Sequence, residues 1–144
     1  MKKKQAGFSL LELLVVISII GILIALGTVA FTTVQKKGRD SRRRGDVKAM
    51  QDAFEQYKAA NNSYADCSTM ATYDDGSGAL MPGGLPEDPK SSGDYVYNTS
   101  TGCAADSYCI CANMESSSGN ADVPTASTCN FTSAGTYYCL TNLQ

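Results

Sequence analysis

Apolar residues form one long run near the start of the chain. Between Phe8 and Phe31 the only charged residue is Glu12. A helix of about 20 apolar residues is long enough to cross the hydrocarbon core of a bilayer. Lipid also favours a helix there, because its backbone polar groups bond within the segment. The pattern therefore predicts a membrane-spanning helix over residues 8–31.

The helical pattern continues beyond this run but becomes amphipathic. Its apolar positions are three, four and three residues apart, at Val47, Met50, Phe54 and Tyr57. That spacing places them on one face of a helix, which we expect to pack against the rest of the protein. No proline occurs before Pro82. The sequence thus predicts one helix from Ser9 to about Ala60, ending near Asn61-Asn62.

The remainder of the chain alternates between turn-forming and strand-forming segments. Residues 63–94 are rich in Gly, Pro and Asp and are predicted to be a connecting loop. A polar loop is also expected over residues 115–135. Aromatic and β-branched residues predict short antiparallel strands at 95–99, 107–114 and 136–142. The predicted fold class is α+β, a long N-terminal helix with a transmembrane half and an amphipathic half packed on a small antiparallel β-sheet head.

All the cysteines lie after the long helix, at Cys67, Cys103, Cys109, Cys111, Cys129 and Cys139. An even number of cysteines in a small polar domain indicates disulfides formed in an oxidising compartment. Cys109 and Cys111 are two apart on a predicted strand, so they share a face and should have different partners. The spacing does not choose among the possible pairings. A redox or metal pair at Cys109 and Cys111 is the alternative.

Charge is distributed unevenly along the chain. The residues after Asn61 have one cation and nine anions, 1 − 9 = −8, and so are not expected to bind nucleic acid. A basic block precedes them and nets 7 − 2 = +5 with Asp40 and Asp46. Its cations are Lys36, Lys37, Arg39, Arg42, Arg43, Arg44 and Lys48. The block could contact lipid head groups, acidic domains of neighbouring copies or nucleic acid.

Candidate chemistry is sparse. The chain has no histidine, which excludes His-based nucleophilic catalysis and most zinc sites. Asp74 and Asp75 precede a Gly-Ser-Gly segment and are candidate calcium ligands. They lack the spacing of an EF-hand, so a solvated turn is the simpler interpretation. We expect no enzymatic activity and no cofactor.

Glu12 is costly within an apolar segment. A carboxylate at mid-membrane costs about 2.5–3.5 kcal/mol, and less near a helix end. We therefore interpret Glu12 as a functional residue that needs a cationic partner.

The N-terminus resembles that of a known family. A basic leader, Lys2-Lys3-Lys4-Gln5-Ala6-Gly7, is followed by Phe8-Ser9-Leu10-Leu11-Glu12 and the apolar run. This is similar to the leader and mature start of type IV pilins and type II secretion pseudopilins, over about the first third of the chain. The resemblance implies that a prepilin peptidase cuts between Gly7 and Phe8 and methylates the amino group of Phe8. A conventional signal cleaved after Thr28-Val29-Ala30 is the alternative.

The resemblance also implies an assembly mechanism. Glu12 would pair with the Phe8 amine of a neighbouring subunit, and the helices would bundle into a helical filament. An inner-membrane platform and a cytoplasmic motor would extract the subunits from the membrane. The chain would be a single-pass membrane protein with its head outside the cytoplasm, and an extracellular filament after assembly. The implied segments are a leader (1–7), a transmembrane assembly helix (8–31), an amphipathic outer helix (32–60) and a disulfide-rich head (61–144).

Two weaker features fit the same family. Leu85 to Pro89 followed by Tyr95-Val96-Tyr97 resembles a passage of pilins and major pseudopilins, and a Cys129–Cys139 bridge would match a common pilin disulfide. The main functional hypothesis is a structural subunit of a type IV pilus or pilus-like filament. The alternatives are a pseudopilin of a type II secretion system, and an anchored or secreted disulfide-rich binding module.

Overall fold

The computed structural model describes residues 7–70, 81, 84–90, 92–97, 103–124 and 128–143. Several predictions lie outside these residues. They are the leader lysines Lys2, Lys3 and Lys4, the candidate calcium ligands Asp74 and Asp75, and residues 98 and 99 of the first predicted strand.

A single helix, α1, spans Leu10–Asn61 and contains 52 residues. It agrees with the predicted helix to within one residue at each end. Asn62 ends it with a φ of 57°, in the left-handed region that asparagine tolerates better than most residues. The Asn62 N–H still donates to the Lys58 carbonyl, at 2.8 Å.

The chain divides into two compact units, Met1–Gln35 and Lys36–Gln144, and α1 continues from one into the other. In the first unit the large apolar side chains of α1 are exposed. The second unit contains the core.

The predicted apolar stripe of α1 forms one side of that core. Val47, Met50 and Phe54 are fully buried, and Tyr57 is partly buried against them. The Phe54 ring lies 4.8 Å from that of Tyr108, between ring centroids. Burying one such side chain stabilises a fold by about 1.5–3 kcal/mol. The stripe therefore packs against the head, as predicted.

The sheet consists of two antiparallel strands, β1 (Cys109–Asn113) and β2 (Tyr137–Thr141). Alternate residues of β1 face opposite ways. Ile110 and Ala112 join the core beneath α1, whereas Cys109 and Cys111 form a second buried cluster with Cys139. The α+β class and the second and third predicted strands are thus confirmed, with shorter strands.

The first predicted strand is wrong in its described part, because residues 95–97 are not in a strand. Their aromatic residues, Tyr95 and Tyr97, contact side chains of α1 instead of lying in a paired strand. Tyr97 is buried, and its hydroxyl donates to Asp46 Oδ2 at 2.6 Å. The predicted loop 63–94 also contains a short helix, α2 (Cys67–Met70). Asp66 caps it by accepting the Thr69 N–H at 2.8 Å.

All the cysteines are paired, as Cys67–Cys103, Cys109–Cys129 and Cys111–Cys139. Cys109 and Cys111 therefore have different partners. The Cys129–Cys139 bridge implied by the resemblance is wrong. The strand register places Cys139 directly opposite Cys111, with their Cα atoms 4.1 Å apart. Cys139 therefore bonds to Cys111 and not to Cys129.

Candidate assembly site

Ser9 and Glu12 cap the N-terminus of α1. The Ser9 N–H donates to Glu12 Oε2 at 3.0 Å, and the Glu12 N–H donates to Ser9 Oγ at 3.2 Å. This reciprocal pair is a capping box, which satisfies two backbone donors that the helix leaves free. Its sequence signature, Ser-x-x-Glu before an apolar run, is present at Ser9 and Glu12, in addition to the charge pattern that singled out Glu12. Glu12 therefore has a partner within its own chain.

The residues around the predicted cleavage point are accessible. Gly7 and Phe8 precede α1 and have no regular secondary structure, and Phe8 is 88% exposed. Leu10 and Leu11, the first residues of the helix, are exposed as well. A protease could reach the Gly7–Phe8 bond without unwinding the helix.

No described part of the chain covers the apolar half of α1. Its most apolar 18-residue window is 0% buried, and the helix is long and apolar enough to cross a membrane. A contiguous apolar surface of this size marks a contact with lipid or with other protein. Because apolar residues surround the helix on all sides, several neighbours could pack against it at once.

At the head, Arg43 of α1 is fully buried in a cluster of carboxylates. Its guanidinium donates to both oxygens of Asp88, at 2.7 and 2.9 Å. Nη1 also donates to Asp40 Oδ1 and Glu115 Oε1, each at 2.8 Å. Arg39 completes the cluster with two bonds to Glu115, at 2.6 and 2.7 Å.

This cluster corrects the interpretation of the basic block. All three proposed roles assumed that its cations are available, but Arg39 and Arg43 are used within the chain. Arg43 lies four residues before Val47, on the face of α1 that packs on the head, so helix packing buries it. That spacing was visible in the sequence. Two further cations form pairs along the helix, Arg42–Asp46 and Lys48–Asp52.

The cluster shifts the pKa values of its carboxylates downward. Hydrogen bonds from Arg39, and then from Arg43, lower the pKa of Glu115 to about 2. Burial raises the pKa of Asp40, but bonds from the Ser116 hydroxyl and the Glu115 and Ser116 N–H groups outweigh it, so the net shift is downward. Both groups are therefore ionised at neutral pH, as the buried guanidinium requires.

A second polar cluster ties the C-terminal residues to α1. Glu55 accepts hydrogen bonds from the Tyr108 hydroxyl at 2.7 Å, the Tyr64 hydroxyl at 3.1 Å and the Leu143 N–H at 2.9 Å. Burial and the bond to Glu55 raise the pKa of Tyr64 to about 12. Together with the Arg43 cluster, these bonds attach the head to α1 at two positions along the helix, near Arg43 and near Glu55.

The cysteine cluster beside β1 has the compactness of a metal site. Four sulfur atoms, those of Cys109, Cys111, Cys129 and Cys139, lie within 4.8 Å of one another. Each is bonded in a disulfide and so is not a thiolate ligand. The redox or metal alternative for Cys109 and Cys111 is therefore replaced by two structural bridges.

The chain resembles known proteins in its sequence. The family profile described as the prokaryotic N-terminal methylation motif matches residues 2–28. The type II secretion system core protein G of Aeromonas hydrophila is 36% identical over 98 residues, 67% of this chain and 64% of that protein. The protein of the same name from Vibrio cholerae is 32% identical over 96 residues, 65% of this chain and 62% of that protein.

These findings support the pilin and pseudopilin family. The Escherichia coli (strain K12) type II secretion system core protein G is 38% identical over 61 residues, 42% of each chain. The chain thus spans less than two thirds of the length of these relatives. No solved structure gave a significant match.

The residues matched by the methylation motif include those that cap the start of α1. The methylation motif includes Gly7, Phe8 and Glu12, on which the resemblance was based. The relatives carry the name of a secretion system, which fits the pseudopilin alternative. The ion cluster around Arg43 and the three disulfides are features of this chain's own structure.

Proposed function

We propose that the chain is a pseudopilin-type structural subunit that assembles into a helical filament through its N-terminal helices. The observation that carries this proposal is the exposed apolar half of α1, which lies largely within the residues matched by the methylation motif and contains a single carboxylate. Such a helix is stable in lipid before assembly and against other copies of itself afterwards. The role is structural rather than catalytic.

In this proposal a prepilin peptidase first removes residues 1–7 and methylates Phe8. The accessible Gly7–Phe8 bond supports this step. Residues 8–31 then form the transmembrane assembly helix, residues 32–60 the outer helix and residues 61–144 the head.

Glu12 sets the register between subunits. Before assembly its carboxylate is satisfied by the Ser9 N–H of its own chain. In the filament it pairs with the new amine of Phe8 on a neighbouring copy, at low dielectric, where an unpaired charge is strongly penalised. Only copies at the correct height satisfy both charges. A contact of this kind does not close on itself and so generates a fibre.

The disulfides support the proposed membrane arrangement. Three bridges in the head support its placement outside the cytoplasm. An inner-membrane platform and a cytoplasmic motor would then extract the anchored subunit into the filament.

The names of the relatives favour a secretion pseudopilus. A type IV pilus is the second candidate, favoured by the disulfide-rich head. A deletion strain distinguishes them, since loss of exported enzymes with normal surface pili indicates secretion, and loss of pili with normal export indicates a pilus.

Three variants test the assembly mechanism. Gly7→Ala should leave uncleaved protein that does not assemble, and N-terminal sequencing of the wild type should begin at methyl-Phe8. A wild-type start at Phe31 would instead indicate a conventional signal. Glu12→Ala and Glu12→Gln should both be cleaved but assemble poorly. If either made filaments as well as the wild type, the register role of Glu12 would be wrong.

A further inference from the structure

A surface groove lies beside the buried ion cluster. It has a volume of about 380 Å³ and is lined by Lys37, Asp40, Ser41, Arg44, Ser116 and Ser118. One wall is a face of α1, and the other is the turn that follows β1. We call it the serine groove.

Arg44 is held in place at this groove without a carboxylate. Its Nη2 donates to the Ser118 carbonyl at 2.5 Å and to Ser118 Oγ at 3.1 Å. The guanidinium carbon lies 5.1 Å from the centroid of the Tyr138 ring. These contacts orient the guanidinium but leave donors unused, because the group has five N–H bonds. An oriented cation loses little entropy on binding an anion.

Two cations at the groove lack a counter-ion in the described part of the chain. No described carboxylate oxygen lies within 4.0 Å of the Lys37 or Arg44 nitrogens. Asp40 also lines the groove, but it is occupied by Arg43 and by the Glu115 and Ser116 N–H groups.

The surface around the serine groove has a positive net charge. The buried cluster combines Arg39 and Arg43 with three carboxylates, 2 − 3 = −1. Lys36, Lys37 and Arg44 add three positive charges, so the net value is 3 − 1 = +2. Of the serine hydroxyls, that of Ser116 already donates to Asp40 and lies 3.0 Å from Ser118 Oγ, so the cations dominate the groove. The groove is therefore suited to an anionic oxygen group.

We propose that the serine groove binds a carboxylate side chain from the head of a second copy of this chain. The inference rests on the proposed function, because it places the contact in the filament. Charge complementarity identifies the occupant. The residues after Asn61 net −8, and several of their carboxylates are exposed and form no ion pair among the described residues. These are Glu87, Asp94, Asp106 and Asp122.

The contact gives the filament a direction. A basic groove on one copy and an acidic surface on the next are different patches, so the pairing repeats head to tail. Guanidinium and carboxylate can form two parallel bonds, which adds geometric specificity. At a solvent-accessible site the pair contributes more to partner selection and association rate than to affinity.

The test is charge reversal followed by compensation in the full-length chain. Arg44→Glu and Lys37→Glu should each lower the filament yield about tenfold, with cleavage and membrane level unchanged. Combining Arg44→Glu with one of Glu87→Arg, Asp94→Arg, Asp106→Arg or Asp122→Arg should restore most of the yield and so identify the partner. Lys48→Glu is the matched control, since Lys48 is exposed on the same helix but paired with Asp52. It should assemble nearly normally.

Other outcomes distinguish a failure of the groove contact from a failure of the proposed function. If the wild type forms filaments and both reversals do so equally well, the groove is not an interface, although the proposed function stands. The same conclusion follows if no acidic reversal compensates and Arg44→Glu instead loses binding to vesicles of phosphatidylglycerol, which would identify a lipid phosphate. If the wild type and Lys48→Glu form no filaments, the proposed function itself fails. Lys37→Glu also controls for misfolding. The Lys37 side chain forms no hydrogen bond or ion pair with the described residues, so its replacement should not disturb the fold.

Discussion

The guanidinium of Arg43 and the carboxylate of Asp88 form a bidentate pair, with Nε–Oδ2 and Nη2–Oδ1 distances of 2.7 and 2.9 Å. Both side chains are buried. The pair joins α1 to residues 84–90, which contain no helix or strand, and so helps to fix that segment on the helix.

Removing one member of this pair should be costly. Arg43→Met leaves the carboxylates of Asp40, Asp88 and Glu115 without their shared cation, and breaking a buried pair in this way costs about 3–5 kcal/mol. Urea unfolding of the purified protein in detergent, followed by tyrosine fluorescence, would measure it. Arg42→Met is the control, because Arg42 is 62% exposed and its pair with Asp46 spans 3.7 Å. It should change stability by less than about 1 kcal/mol. Equal losses in both variants would contradict the importance of burial.

The ion cluster should make the head sensitive to acid. The folded-state pKa of Glu115 is lowered to about 2 from an ordinary 4.5, and that of Asp40 is also lowered. A lowered pKa contributes stability that is present above the unfolded value and disappears as the pH falls through the folded value. The thermal midpoint should therefore be steady above about pH 5 and fall between pH 4.5 and 2.

Glu115→Gln tests the assignment. It should lower the midpoint at pH 7 and flatten its decline below pH 4.5, whereas the exposed Glu87→Gln should follow the wild-type curve. An unchanged slope in Glu115→Gln would mean that other carboxylates dominate the acid response.

Gly119 occupies a position where any side chain would collide with backbone. A Cβ there would overlap the Tyr137 carbonyl, because residues 119–121 run closely alongside the start of β2. Gly119→Ala should therefore destabilise the head by several kcal/mol or prevent its folding. Gly45 is the contrast, since it lies within α1 and a Cβ would meet nothing within 4 Å. Gly45→Ala should raise stability by up to about 1 kcal/mol. Similar thermal midpoints for the two variants would contradict this account.

The disulfide pairing can be checked chemically. Partial reduction, stepwise alkylation and mass spectrometry should recover Cys67–Cys103, Cys109–Cys129 and Cys111–Cys139. The double variant Cys67→Ser/Cys103→Ser should lose about 2–4 kcal/mol, because this bridge pins the connecting segment. Recovery of a Cys129–Cys139 peptide would overturn the pairing and the strand register together.

Local patterns predicted the parts of the fold that depend on neighbouring residues. The helix was predicted from its apolar run and its 3-4-3 stripe, and the second and third strands from their composition. The prediction of the first strand was wrong because Tyr95 and Tyr97 alternate as they would in a strand, yet their side chains contact α1. Tyr97 bonds to Asp46 and the Tyr95 ring lies under Arg43, at 4.8 Å.

By itself, the sequence determined the long helix, its membrane-length apolar half, the methylation motif and the presence of paired cysteines. Each is encoded by spacing along one segment, where chemistry depends on residues only a few positions apart. Only the tertiary structure decided which cysteines pair, and that Arg43 is a buried tie rather than part of an exposed basic surface. Those outcomes depend on strand register and helix packing, which bring together residues 28 and 45 positions apart. The same packing leaves Lys37 and Arg44 as the cations that face the serine groove.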